Sequence, residues 1–299
     1  MRVLITGASS FIGQHVTLSA VNAGISVIGT YRNRNEAIHA LNSPPDAPEL
    51  VQLDICDPDS FEKLSGRIDA IIHIAAISDY IGASNDTLIQ TNIIGTNNVL
   101  KYALKKGIHR IIYTSSMSVY GQISTDSIDT NTEISNPDVY GTTKYAGERL
   151  LASAERDVSS VSLRLPGVLG RGASRSFIPS VCQKLLFDQP VTIFNEKAFF
   201  NNVVYINDLC RFIFQIIDNS SWNGFHAFPI GGDNAIQMLE LIKEMKSLLC
   251  SSSEIIKINS NKQSFVIDSK YASTKFGYNP RSTLDSISEY CRDIIGLSN

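Results

Sequence analysis

Short runs of β-branched and aliphatic residues alternate with longer amphipathic stretches along the first half of the chain. Arg2–Thr6, Ile25–Thr30, Leu50–Leu53, Ala70–Ile74, Arg110–Thr114 and Ser160–Arg164 read as buried parallel strands. Phe11–Ala23, Ser60–Ser65, Asn85–Lys106 and Tyr140–Arg156 carry apolar residues at the helical period and fall between most of them. This alternation predicts an α/β fold, a Rossmann-type doubly wound parallel sheet with helices on both faces and right-handed crossovers. Asn42–Pro48, with three prolines, reads as a surface loop.

After Arg164 the alternation weakens, and the Gly/Pro-rich Pro166–Gly172 reads as a strand exit into irregular structure. We therefore expect a nucleotide-binding domain over residues 1–165 and a smaller C-terminal substrate-binding region over 166–299. Val203–Ile206 and a helix around Asp208–Ile217 are expected to return to the main sheet, so the boundary interleaves near residues 200–230. A length of 299 residues with 43% hydrophobic content accommodates both parts.

Charge and cysteine content remove several classes of function. The 26 basic and 29 acidic residues are scattered, with a net charge of -3, so no stripe exists to track a nucleic-acid backbone. Five cysteines without a C-x-x-C pair suggest neither a disulfide framework nor a metal site. The opening MRVLITG has no signal-peptide pattern and no apolar run reaches membrane-spanning length, so a cytoplasmic protein without a membrane partner is expected.

The segment Val3-Leu-Ile-Thr-Gly-Ala-Ser-Ser-Phe-Ile-Gly13 is a strand, a small-residue turn and a helix start, the context in which a glycine pattern binds a dinucleotide. Gly7 suits the tight turn, Gly13 suits close packing of helix on strand, and the helix N-terminus faces the pyrophosphate. Ser10 stands where a middle glycine is usual. At the end of the second strand Gly29-Thr-Tyr-Arg-Asn-Arg34 has no acid for the ribose hydroxyls but offers Arg32 and Arg34 for a 2′-phosphate, which favours NADP over NAD.

Tyr140-Gly-Thr-Thr-Lys144 sets a phenol and an ammonium one helical turn apart. A free tyrosine near pKa 10 is a poor acid or base at neutral pH, and a neighbouring cation favours its phenolate. Tyr140 then exchanges a proton with a carbinol or carbonyl oxygen. The strand Arg110–Thr114 runs into Ser115-Ser-Met-Ser-Val-Tyr-Gly121, placing the Ser116 hydroxyl at the carboxyl end of a parallel strand, where open α/β sheets bind ligands.

Taken together, Thr6–Gly13, Leu53-Asp54-Ile55, His73-Ile-Ala-Ala76, Asn92-Ile-Ile-Gly-Thr96, Ser115–Gly121 and Tyr140-x-x-x-Lys144 resemble the extended short-chain dehydrogenase/reductase family. Its members are NAD(P)-dependent epimerases, dehydratases and reductases, mostly of nucleotide sugars. The resemblance implies a catalytic triad of Ser116, Tyr140 and Lys144, with Lys144 also bonding the cofactor ribose. It implies a cofactor site drawn from Gly7, Ser9, Ser10, Phe11, Ile12, Gly13, Tyr31, Arg32, Arg34, Asp54, Ile55, Ala75, Ala76, Asn92, Thr114, Pro166 and Val168. Asp54 and Ile55 would flank the adenine, Ala75 and Ala76 would line the pyrophosphate path, and Asn92 would support the active-site helix. His73 reads as structural. Ser78, Ser116, Ser118, Gly167, Arg171, Arg175 and Asn201 are the implied substrate-binding set, Asn201 standing where the family's diphosphate-gripping arginine is usual. A homodimer through the helices near 85–106 and 140–156 is also implied.

The dehydratase branch carries an Asp-Glu pair after the active-site hydroxyl, and here Met117 and Ser118 occupy those positions. Two reactions remain: NADP(H)-dependent reduction of a keto group on a nucleotide-activated 4-keto-6-deoxy sugar, which the Arg32/Arg34 pair favours, and 4-epimerisation with a tightly bound NAD(P). A non-catalytic NADP-binding sensor or scaffold is the reading from another class, and it has no chemical need of Ser116, Tyr140 and Lys144 together.

Overall fold

The computed structural model describes residues 1–33, 36–41, 47–78, 82–174, 176–260 and 263–296. Arg34, Arg175 and residues 42–46 of the proline-rich loop lie outside them. In chain order the elements begin β1 (Arg2–Thr6), α1 (Phe11–Asn22), β2 (Ser26–Tyr31), α2 (Glu36–Leu41), β3 (Glu49–Gln52), β4 (Ala70–His73), α3 (Asn85–Ile89), α4 (Thr96–Lys106), β5 (Arg110–Ser116), β6 (Ser127–Ile128) and α5 (Val139–Ser153). They continue with β7 (Ser159–Leu165), β8 (Gly167–Leu169), α6 (Phe177–Leu186), β9 (Val191–Phe194), β10 (Phe199–Phe200), β11 (Val203–Tyr205), α7 (Ile206–Asp218) and β12 (Phe225–Pro229). The last are β13 (Ile236–Gln237), α8 (Met238–Leu248), β14 (Ile255–Ile258), β15 (Val266–Ile267), α9 (Lys270–Phe276) and α10 (Thr283–Ile295).

The chain divides into two compact units. The first comprises Met1–Gly121, Ile134–Arg164 and Cys210–Phe228. Its sheet has the order β12-β7-β5-β4-β1-β2-β3. From β3 to β5 the pairs are parallel, with Thr30 opposite Val51, Val3 opposite Val27, Ile5 opposite Ile72 and Ile71 opposite Ile111. The order reverses between β1 and β4, and this switch point is where a doubly wound sheet opens a ligand crevice. Leu4, Ile28, Ile71 and Ile111 are fully buried and pack with Phe61, Val99, Tyr102 and Ala103 on one face. Each such side chain contributes roughly 1.5–3 kcal/mol by leaving water.

Six of the seven main-sheet strands lie within two residues of their predicted spans, and the seventh, β12, was not expected. Val203–Ile206 departs from its expectation: β11 pairs in parallel with β8, Val203 opposite Gly167, and not with the main sheet. The return is made instead by Cys210–Phe228. Ser60–Ser65 is a 3-10 turn over Pro58–Lys63, capped by Asp57. The helix expected over Asn85–Lys106 is interrupted by a π-helical segment at Gln90–Gly95 between α3 and α4.

The second unit comprises Gln122–Glu133, Leu165–Leu209 and Pro229–Asn299. Its strands pair two by two, β8 with β11, β9 with β14, β6 with β15 and β10 with β13. Arg281 braces it, bonding buried Asp208 at 3.0 Å and lying over the Tyr205 ring, whose hydroxyl donates to Asp293. Among the described residues no helix is long and apolar enough to cross a membrane, and no cluster of His, Cys, Asp and Glu is arranged to hold a metal ion.

Candidate active site

A cleft opens at the switch point of the first unit. Gly7, Ser9 and Ser10 form its floor, Thr30, Tyr31 and Arg32 one wall, Leu53, Asp54 and Ile55 another, and Ala75, Ala76, Ile77 and Thr91 the remainder. Its floor admits no side chain at the glycines: a Cβ on Gly13 would lie 2.0 Å from the Gly7 carbonyl oxygen, so α1 presses directly onto the turn. The first-turn N–H groups of Phe11 and Ile12 precede the intrahelical ladder, which begins with Gln14 donating to Ser10, and are oriented for an anion. The Ser10 hydroxyl accepts the Gly13 N–H at 3.1 Å and caps the helix. Asp54 accepts the Cys56 N–H, which fixes its carboxylate on the cleft wall. Thr30, Ile77 and Thr91 were not singled out by sequence, since apolar and threonine positions read simply as core.

Below the cleft, a buried hydrogen-bond chain sets the state of His73. Thr6 Oγ1 receives the N–H groups of Ile74 and Ala75, so its own proton goes to His73 Nδ1 at 2.7 Å. Thr96 Oγ1 donates to the Asn92 carbonyl, so it accepts from His73 Nε2 at 2.9 Å. The imidazole is therefore the neutral Nε2–H tautomer, and burial, reinforced by the charge of Lys144, pushes its pKa down to about 3. This is a structural group and not a general base, as its place in the strand implied.

Asn92 lies in the π-helical segment, and the Thr96 hydroxyl donates to its carbonyl. Its amide accepts the Ile77 N–H and donates to the Ile77 carbonyl, both at 2.8 Å. The second amide proton goes to Thr143 at 3.0 Å, and Thr143 bonds the Tyr140 carbonyl. One side chain thus ties the cleft wall, and Ser78 beyond it, to helix α5.

Helix α5 starts at the Asp138 cap and carries Tyr140, half-buried, and Lys144, buried. Gly141 is what lets it dock: an added Cβ would stand 2.1 Å from the Ser118 carbonyl oxygen. Ser116 ends β5 and caps the 3-10 turn Met117–Tyr120, its hydroxyl accepting the Ser118 N–H and donating to the Ser118 hydroxyl. Thr114 is held by the His73 carbonyl. Lys144 Nζ lies 4.2 Å from the centre of the Tyr113 ring, and burial pushes its pKa down to about 7 against the opposing pull of Glu148. The Tyr113 phenol, fully buried, is driven far above its usual range by desolvation and stays protonated.

The model of the NAD dependent epimerase/dehydratase family matches residues 3–231, more than three quarters of the chain. The chain belongs to that family. It is 29% identical to a UDP-glucose 4-epimerase of Caenorhabditis elegans over 233 residues, 66% of this chain and 66%, just under two thirds, of that one. It is 24% identical to a dTDP-glucose 4,6-dehydratase of Actinoplanes sp. over 94% of this chain and 93% of the relative. A crystal structure of UDP-glucuronic acid 4-epimerase from Bacillus cereus, in complex with UDP-glucuronic acid and NAD, superposes with a TM-score of 0.81 over 100% of both chains at 23% identity, a likeness of fold.

The family's nicotinamide dinucleotide fits the residues present. The glycine floor without room for a Cβ and the helix start suit a pyrophosphate, and the Asp54–Ile55 wall suits an adenine. Arg32 is exposed at the rim.

In the second unit, Asn201 overturns its expected substrate contact. Its side chain is buried, with both amide protons donated to the Gly232 and Ile267 carbonyls and its oxygen accepting the Ile267 N–H, which leaves no donor for a phosphate. It is a structural brace between β11 and β15. Pro166, Gly167 and Val168 are half-buried along β8, and Arg171 is exposed.

Proposed function

We propose that this chain transfers a hydride and a proton at a ring carbinol of a nucleotide-linked sugar, acting as a 4-epimerase with its nicotinamide dinucleotide retained. The observation carrying this reading is helix α5, which presents Tyr140 and Lys144 while its Gly141 rests on Ser118, so that the phenol and the Ser116 turn belong to one locked frame. Bound in the cleft, the cofactor supplies a reversible hydride acceptor. Ser116 holds the substrate oxygen and Tyr140 takes its proton, then returns it when reduction occurs from the other face. Lys144, as an ammonium, stabilises the Tyr140 phenolate and bonds the ribose. Met117 and Ser118 supply neither an acid nor a base for eliminating water, which speaks against the dehydratase reaction. Similarity to a UDP-glucose 4-epimerase over 66% of the chain supports the substrate class.

A second reading is net reduction of a nucleotide-linked 4-keto-6-deoxy sugar by NADPH. Arg32 at the cleft rim and the absence of an acid from Gly29 to Arg34 favour it. Purified protein incubated with UDP- and dTDP-linked hexoses and 4-keto sugars, with NADH or NADPH, separates the two. Epimer formation without net change at 340 nm supports the epimerase, stoichiometric NADPH loss supports the reductase, and NADP binding without turnover of any sugar supports a sensor. The reading includes a homodimer: Ile89, Ile94, Leu104 and Val139 are exposed on α3, the π-helical segment, α4 and α5, and a second copy of this helix face would cover them. Light scattering at twice the 32.8 kDa chain mass tests it.

A further inference from the structure

Four residues beyond Lys144 on the same helix, Glu148 is buried, with its carboxylate fully engaged. Ser115 donates to one oxygen at 2.6 Å, and Arg164 donates Nε to that oxygen at 3.0 Å and Nη2 to the other at 2.8 Å. The Arg164 guanidinium is itself buried and lies 4.8 Å from the centre of the buried Tyr120 ring. The cluster joins three elements that carry the site. Ser115 directly precedes Ser116, Arg164 lies near the end of β7, and Glu148 belongs to α5.

A buried ion pair is a poor device for stability alone, because desolvating both charges offsets most of their attraction and apolar residues of the same volume often serve as well. Its placement here has a second consequence. Tyr113 on β5 lies against Lys144, and the charge of Lys144 is felt by His73 on β4. Glu148 acts on Lys144 from one turn further along its own helix, Tyr140 standing one turn before. Nearby, Asn92 and Thr96, which do not titrate, bond Thr143 and His73 respectively, and Tyr120 is occupied with Arg164. His73 is locked neutral and Tyr113 is protonated. Glu148 is the one negative charge in this set that opposes the desolvation of the ammonium.

We infer that Glu148 is a positioning residue of this site, fastening the Ser115–Ser116 strand end and Arg164 to helix α5 and, by its charge, keeping Lys144 an ammonium. This rests on the reading of Tyr140 as the proton-transfer group. With Glu148 neutral, Lys144 loses its proton at lower pH, the Tyr140 phenolate loses its cation, and the ascending limb of the pH–rate profile moves to higher pH. A merely structural brace would lower the rate at all pH values alike.

Glu148→Gln keeps the volume and most of the hydrogen bonds. Two measurements are made on the full chain: the titration midpoint of the Lys144 side chain by carbon-13 NMR, with lysine labelled, and the pH–rate profile on the nucleotide sugar that the wild type turns over. The midpoint is expected to fall by about one pH unit and the limb to rise by a similar amount. A midpoint or a limb that stays at its wild-type position overturns the proposal. If Glu148→Gln does not fold, Glu148→Leu/Arg164→Met replaces the pair by apolar side chains, lacks the same charge and is held to the same two results. Should the wild type turn over no sugar, the functional reading fails, and the NMR midpoint alone still decides whether Glu148 holds the charge of Lys144.

Discussion

Lys144 Nζ stands over the face of Tyr113, 4.2 Å from its centre, in a pocket where both side chains are almost wholly buried. The ring offers the ammonium a negative π face in place of water, worth about 2 kcal/mol when desolvated. Without that face and the charge of Glu148, burial would leave the lysine neutral over more of the physiological range.

The hydroxyl of Tyr113 is buried and contributes no hydrogen bond to this arrangement. Tyr113→Phe is therefore expected to retain stability and turnover within about twofold, because the ring face is kept. Tyr113→Leu removes it, and should lower the Lys144 titration midpoint and destabilise the fold by roughly 1–3 kcal/mol through lost packing. Equal loss of turnover in both variants would show that the hydroxyl, and not the ring, matters.

Gly141→Ala tests the docking of α5. With 2.1 Å between the new Cβ and the Ser118 carbonyl, the helix must withdraw from the Ser116 turn. A displacement near 1 Å costs on the order of 100-fold in rate, with about 1–3 kcal/mol of overpacking strain. Wild-type kcat in a stably folded variant would refute the close approach.

His73 makes stability fall with acid. Its folded pKa of about 3 lies below the ordinary value of 6.5, so its contribution is complete above 6.5 and lost progressively as pH falls towards 3. Between pH 6.5 and 5 this amounts to about 2 kcal/mol. Urea denaturation of wild type and His73→Gln over that range should show a slope shallower by about one proton in the variant. Parallel slopes would mean that His73 titrates normally in the folded chain.

How legible all this is in the sequence depends on how far apart the interacting groups lie. The glycine turn from Thr6 to Gly13 and the Tyr140/Lys144 spacing are local, and each has a geometry fixed by its own helix or strand. Asn201 has the opposite character: its amide partners lie 31 and 66 residues away, and nothing near it announces that both protons are spent. Glu148 on a helix reads as a solvated acid until Arg164, 16 residues later, is laid against it. The strand β12 escapes notice because Phe225, His226 and Ala227 are only half-buried, which blurs the apolar run that marks the other strands.

Arg32 offers a test of the cofactor preference. If the 2′-phosphate is bound at the cleft rim, Arg32→Ala should weaken NADPH binding about tenfold or more and leave NADH unchanged, as read by isothermal titration. Equal affinities for both cofactors in the wild type would remove the basis for NADP preference.

The central claim, that Tyr140 moves a proton while a retained cofactor carries a hydride to and from one ring carbon, is tested most directly with a UDP-hexose deuterated at C4. The account predicts an epimer that keeps its deuterium at C4, formed without net cofactor reduction and slowed roughly 100- to 10,000-fold in Tyr140→Phe. Deuterium lost to solvent, or undiminished turnover in Tyr140→Phe, would contradict it.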